Sequence, residues 1–325
     1  MRLALALLFP FATASALAEG FSIRPPLDCG PEANTPCIIQ QYVDSDRGPG
    51  ASDFTCGPLS YDGHKGTDFR LATRADMARG ATVVASAAGR VVAIRDGMAD
   101  INVTDANAPD VSGRECGNGL VIAHADGWET QYCHLKQGSL RVTKGTAVQA
   151  GQPLGQIGLS GRTAFPHVHL SVRKDGKVVD PFNPEGSQGC MAPAEDLWDA
   201  TITPVYRAGG FLDAGFHDGI PEFQQIKQGD FDPQSLTSDA PAIVIWAYLF
   251  GGQSGDILQF SIVGPDGWSF KSDIELEKTQ AQLFRATGKR KPETGWPAGT
   301  YQGQISWLRD GEVYATQAVS LSVTD

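Results

Sequence analysis

At 325 residues the chain is long enough for two domains, and with 41% hydrophobic and 19% charged residues it reads as globular rather than disordered. Its formal net charge is −11, which speaks against a nucleic-acid partner, because neutralising phosphates takes a basic surface. It also lacks the basic clusters that hold proteins on anionic lipid.

The first eighteen residues, MRLALALLFPFATASALA, combine one Arg, a short apolar run and Ala16-Leu17-Ala18. This pattern predicts a secretory signal at 1–18, cleaved after Ala18, and hence a periplasmic or secreted protein. Its removal takes away Arg2 and no acid, leaving 25 basic against 37 acidic residues, a net −12. No later run approaches the roughly 18 apolar residues of a membrane span. The best, AIVIWAYLF at 242–250, is strand-length.

Six cysteines follow the signal: Cys29, Cys37, Cys56, Cys116, Cys133 and Cys190. An even number behind a signal implies an oxidising compartment and three disulfides. Keeping two loops local pairs Cys37 with Cys56 and Cys116 with Cys133, leaving Cys29 for Cys190.

Residues 19–60, rich in Pro, Gly, Cys and Asp, read as a disulfide-stapled extension. From 61 to 185 short strands dominate. The segment LATRADMARG fits a loop or a single helical turn, and Asp126-Gly127 between two strand-like runs predicts a tight hairpin. Glycines recur at short intervals through VTKGTAVQAGQPLGQIGLSG, as β-turns demand. Residues 186–204 read as a linker with a short helix around Glu195–Ala200. From 205 to 325, regularly spaced strands predict a smaller, immunoglobulin-like antiparallel sandwich. The fold class is therefore all-β.

Of the six histidines, four sit in short signatures. In YDGHKGTDFRL, His64 and Asp68 are four apart, and Gly63 and Gly66 favour a turn entering a strand over a helix. An imidazole and a carboxylate suit zinc, although a surface His beside a loop-capping Asp has the same spelling. In TAFPHVHLSV, strand alternation puts His167, His169 and Ser171 on one face and Val168, Leu170 and Val172 on the other. Such a pair fits a solvated face as well as a site. In TQYCHL, alternation gives Thr130, Tyr132 and His134 a common face, with Tyr132 a candidate substrate contact or packing residue. His124 reads as a structural turn residue and His217 as a loop residue; Trp128, Trp246 and Trp307 read as packing. Taken together, His64, Asp68 and one of the His167/His169 pair would give a zinc with one open position, leaving two histidines for proton handling.

The set GHKGTDF, YCHL and FPHVHLSV, in that order over residues 60–185, resembles the lysostaphin-type (LytM-domain) zinc metallopeptidases. The resemblance implies a compact antiparallel β-fold, lipoyl-like in its Gly-rich part, with a groove over one zinc ion. It implies His64, Asp68 and His169 as metal ligands and His134 and His167 as catalytic residues off the metal. It also implies peptidoglycan as substrate and hydrolysis of its peptide bonds by a zinc-activated water. Arg162, Phe165 and Arg173 depart from the family's spelling and bear on the groove walls. The competing reading is a LytM-like module without catalysis that binds the wall or activates another murein hydrolase; such a module would be expected to lack at least one metal ligand, whereas this chain has all three and both catalytic histidines.

Overall fold

The structure, a computed structural model, describes residues 20–27, 38–105, 107–187, 189–190, 195–229 and 233–325. The expected signal at 1–18 lies outside them, as do Cys29 and Cys37. Among the described residues no helix is long and apolar enough to cross a membrane.

The regular secondary structure is almost wholly strand. In the first part they are β1 (Ile38–Gln41), β2 (Thr67–Arg70), β3 (Thr82–Val84), β4 (Gly89–Arg95) and β5 (Asn118–Ala123). There follow β6 (Trp128–Leu135), β7 (Ala147–Val148), β8 (Pro153–Gln156), β9 (His167–Lys174) and β10 (Lys177–Val179). Their main sheet runs β1-β2-β9-β6-β5-β4-β7, with β10 also on β9, while β3 and β8 pair separately. Every ladder in this part is antiparallel. One face of the sheet is apolar: Phe69, Leu120, Ile122, Tyr132, Val168, Leu170 and Val172 are all buried there.

Local chemistry explains the connections. Asp126 and Gly127 have φ of 53° and 76°, the left-handed pair that a tight hairpin requires, so β5 and β6 meet as expected. The segment after β2 forms one short helix, α1 (Arg74–Arg79). Thr73 caps it: its hydroxyl accepts from Asp76 N, and the Asp76 carboxylate accepts from Thr73 N.

The second part contains β11 (Gly210–His217), α2 (Phe223–Gln228), β12 (Ser235–Thr237), β13 (Ala242–Gly252) and β14 (Ile257–Val263). It ends with β15 (Ser269–Glu275), β16 (Gln280–Arg290), β17 (Gly299–Arg309) and β18 (Glu312–Thr324). These form a sheet β11-β13-β16 and a sheet β12-β18-β17-β14-β15. Phe216, Ile243, Ile245, Phe260, Ile305 and Trp307 from the two share one core. The parts touch: Phe250 joins the first core, and Tyr206 packs on Tyr42 at 5.3 Å.

Three expectations are corrected. Cys116–Cys133 forms as expected, but Cys56 bonds Cys190, 134 residues away, so neither Cys37–Cys56 nor Cys29–Cys190 exists. Locality misled because the extension folds back over the segment beyond β10. There Asp53 organises its loop by accepting from Thr55 N, Gly57 N, Leu59 N and the Tyr206 hydroxyl. Second, 195–200 is not helical. It runs extended, with Ile23 N donating to Leu197 O at 2.7 Å and Asp199 N to Ile23 O at 2.8 Å, which buries Trp198 against Phe69 and Phe182. Third, His217 ends strand β11, opposite Val244, rather than lying in a loop.

Candidate metal centre

Strand β2 carries Asp68 and pairs directly with β9, setting Asp68 opposite His169. His64 arrives from the turn before β2, and Gly66 lets that turn come close. A Cβ at Gly66 would stand 2.5 Å from His169 Nε2 and 2.7 Å from Leu170 O, so any side chain there collides. The donor atoms converge: His64 Nε2 is 3.2 Å from Asp68 Oδ1 and 3.1 Å from His169 Nδ1, and Asp68 Oδ1 is 2.8 Å from His169 Nδ1. Ligands about 2.0–2.1 Å from a tetrahedral zinc stand about 3.3 Å apart, so a triangle of this size suits one small ion.

The far nitrogens of both rings are held. His64 Nδ1 donates to the Tyr42 carbonyl at 2.7 Å, leaving Nε2 free. His169 Nε2 donates to the Ser171 hydroxyl at 3.1 Å, and that hydroxyl donates to the Lys65 carbonyl at 2.8 Å, leaving Nδ1 free. Outer partners of this kind set the tautomer and plane of a ligating imidazole. Alternation made Ser171 legible, since it lies two residues beyond His169. Tyr42 left no mark in the sequence, because a carbonyl belongs to every residue.

Charge within the cluster is strongly coupled. Burial opposes ionisation of Asp68, but His64 and His167 outweigh it and hold its carboxyl well below the usual carboxylate range. Burial likewise disfavours a charged His64, and adjacent Asp68 reverses that and raises it above the ordinary histidine value.

His134 and His167 also face the cluster, with ring centroids 4.6 Å apart. His134 Nδ1 donates to Ser160 O at 2.7 Å. His167 Nδ1 donates to Phe165 O at 2.9 Å, and its Nε2 lies 3.5 Å from Asp68 Oδ1. Burial pushes both below the ordinary histidine value, His134 far below because cationic His167 and His169 would also oppose its charge. Both are therefore neutral at pH 7 with an unprotonated Nε2 turned inward.

The expected grouping of Thr130, Tyr132 and His134 is overturned. Thr130 and Tyr132 pair with Val172 and Leu170 and are fully buried on the core face. The Tyr132 hydroxyl accepts from Ser86 N at 2.7 Å, so Tyr132 is a packing residue remote from the groove. His134 has φ +63°, and the β5–β6 register slips between Asn118 and Leu120. The bulge turns the next ring onto the face of Cys133 and His169. His124 is structural, bonded to Ala88 O and Thr130 Oγ1. Sequence reasoning passed over Tyr61, whose ring lies 4.4 Å from that of His64 while 54% exposed at the rim.

Residues 62–181 match the model of Peptidase family M23, the LytM-type peptidases. DD-carboxypeptidase/endopeptidase Mpg of Neisseria meningitidis serogroup B is 40% identical over 67 residues, which are 21% of this chain and 15% of that protein. Peptidoglycan DD-endopeptidase ShyA of Vibrio cholerae is 30% identical over 134 residues, 41% of this chain and 26% of that protein. The catalytic domain of EnpA, a prophage-encoded M23 protein from Enterococcus faecalis, overlays 48% of this chain and 95% of its own length at 24% identity and a TM-score of 0.32. The chain thus spans only a minor part of either curated relative.

Proposed function

We propose that the M23-type domain at 62–181 is a zinc metalloendopeptidase that hydrolyses peptide bonds of peptidoglycan, with His64, Asp68 and His169 holding the metal. The observation that carries this reading is the triangle of three donor atoms 2.8–3.2 Å apart, beside two buried histidines that are not part of it. Two imidazoles and a carboxylate are a fitting zinc donor set and leave room for a further ligand. When bound, zinc supplies Lewis acidity, polarising a carbonyl and acidifying water.

The chain's own residues do the rest. His134 and His167 each present an unprotonated Nε2, so either can accept the attacking water's proton, a contribution of about 10²–10⁴-fold. The protonated partner then donates to the leaving amine. Ser160 O and Phe165 O keep both Nδ1 atoms protonated, which prevents the rings from turning the wrong nitrogen inward.

Retention of all five residues supports an enzyme over the non-catalytic wall-binding or activator module. The relatives named as peptidoglycan endopeptidases support the substrate. Disulfides Cys56–Cys190 and Cys116–Cys133 support an oxidising, extracytoplasmic compartment. The test is incubation with purified sacculi, with and without a zinc chelator, and mass spectrometry of released muropeptides. Release that stops with chelator and in His169→Ala is expected; no release, or release indifferent to both, overturns the proposal.

A further inference from the structure

Arg70, the last residue of β2, is fully buried. Its guanidinium donates to Leu71 O at 2.9 Å, Ala72 O at 3.1 Å, Gln40 Oε1, and the Tyr248 hydroxyl oxygen at 3.1 Å. No carboxylate stands within ion-pair distance of it among the described residues. A buried cation without a counter-charge is costly to keep, and here hydrogen bonds and two aromatic faces hold it in place.

Arg70 is directly opposite His167 in the β2–β9 ladder. Its guanidinium lies 4.8 Å over the ring of Phe165, and that ring stacks on the His167 imidazole with centroids 4.5 Å apart and planes 28° from parallel. At the other end stands Tyr248 of β13, in the second part of the chain. Its hydroxyl donates to Gln282 Oε1 at 2.8 Å, and its ring meets Phe223 of α2 edge-on at 5.6 Å.

We propose that Arg70 and Tyr248 are positioning residues for His167. The second domain holds the guanidinium through Tyr248, the guanidinium holds the face of Phe165, and Phe165 sets the plane of the imidazole. The consequence for turnover rests on the peptidase reading; the geometric coupling does not. Of the partners of Arg70 named above, Tyr248 alone comes from the second part of the chain, so that part contributes to the site through one hydroxyl and one ring.

The test uses the full chain with Tyr248→Phe, which removes one hydroxyl, Phe165→Leu, which removes the aromatic face, and both together. Four quantities are compared with wild type: zinc content, kcat, KM, and the carbon–proton resonances of the His167 ring in zinc-free protein. Tyr248→Phe is expected to shift or broaden the His167 signals and lower kcat roughly tenfold, with KM and zinc content unchanged. The double variant should be no slower than Phe165→Leu alone, because both act along one path. Unchanged His167 signals in Tyr248→Phe, or additive losses in the double variant, would overturn the proposal. A wild-type protein inert towards sacculi would overturn the peptidase reading instead, and the imidazole resonances would still decide the coupling.

Discussion

His134 and His167 face one another across 4.6 Å only because His134 takes a left-handed backbone conformation, φ +63°, that breaks the alternation of its strand. A residue of that kind is paid for by its surroundings, and here Gly119 permits it. A Cβ at Gly119 would stand 2.1 Å from Tyr132 O, within the slipped register. Gly119→Ala should therefore unseat the bulge, lowering stability by about 1–3 kcal/mol and turnover by more than tenfold while metal stays bound. Denaturant titration, metal analysis and kcat together check this; full turnover in a stable variant would refute it.

His169 and His167 are neighbours on one strand face with separate proposed tasks. His169→Ala removes one of three converging donors, so the purified protein should lose its zinc, read by elemental analysis. His167→Ala leaves all three donors and should retain zinc while turnover falls about 10²–10⁴-fold. Zinc lost equally from both variants would contradict the division of labour.

Ser171 should matter without being one of the three proposed ligands. Its hydroxyl links His169 Nε2 to Lys65 O and so keeps His169 Nδ1 free to ligate. Ser171→Ala is expected to weaken zinc about 10–100-fold, measured by competition with a chromophoric chelator. Ser171→Thr, which keeps the hydroxyl, should recover most of that loss.

Asp180 gives the fold a pH dependence away from the candidate metal centre. Its Oδ1 accepts from Phe182 N at 2.9 Å, but its Oδ2 is buried without a partner. Burial, with Asp53 adding to it, pushes the carboxyl from 3.8 up to about 7. Between those values the folded chain holds a proton that the unfolded chain has released, so stability falls as pH rises through the window and levels above it. Asp180→Asn should flatten this slope and exceed wild type by roughly 1–3 kcal/mol at pH 8. Denaturant unfolding at pH 5 and pH 8 checks it; parallel slopes in both proteins would refute it.

Much of the site was legible from the sequence, and the limits of that reading have physical causes. The Asp126-Gly127 hairpin and the common face of His167, His169 and Ser171 follow from local rules, positive φ and a two-residue period, which act within a few residues. The LytM-type motifs placed the donors in chain order, and the M23 match covers the same stretch.

What local rules could not decide was set by contacts between distant segments. The bulge at His134 depends on Gly119 in the neighbouring strand, so periodicity within TQYCHL assigned Thr130 and Tyr132 to the wrong face. The Cys56–Cys190 bond joins residues brought together by the fold of the extension, which no loop-length argument can see. The hold of Tyr248 on Arg70 spans 178 residues and two sheets. Sequence alone determined which residue types were present for zinc and proton chemistry, because side-chain chemistry is local. Tertiary structure alone decided which nitrogen each histidine turns inward, because that is set by the carbonyls of Tyr42, Ser160 and Phe165 and the hydroxyl of Ser171, oxygens whose placement depends on the whole sheet.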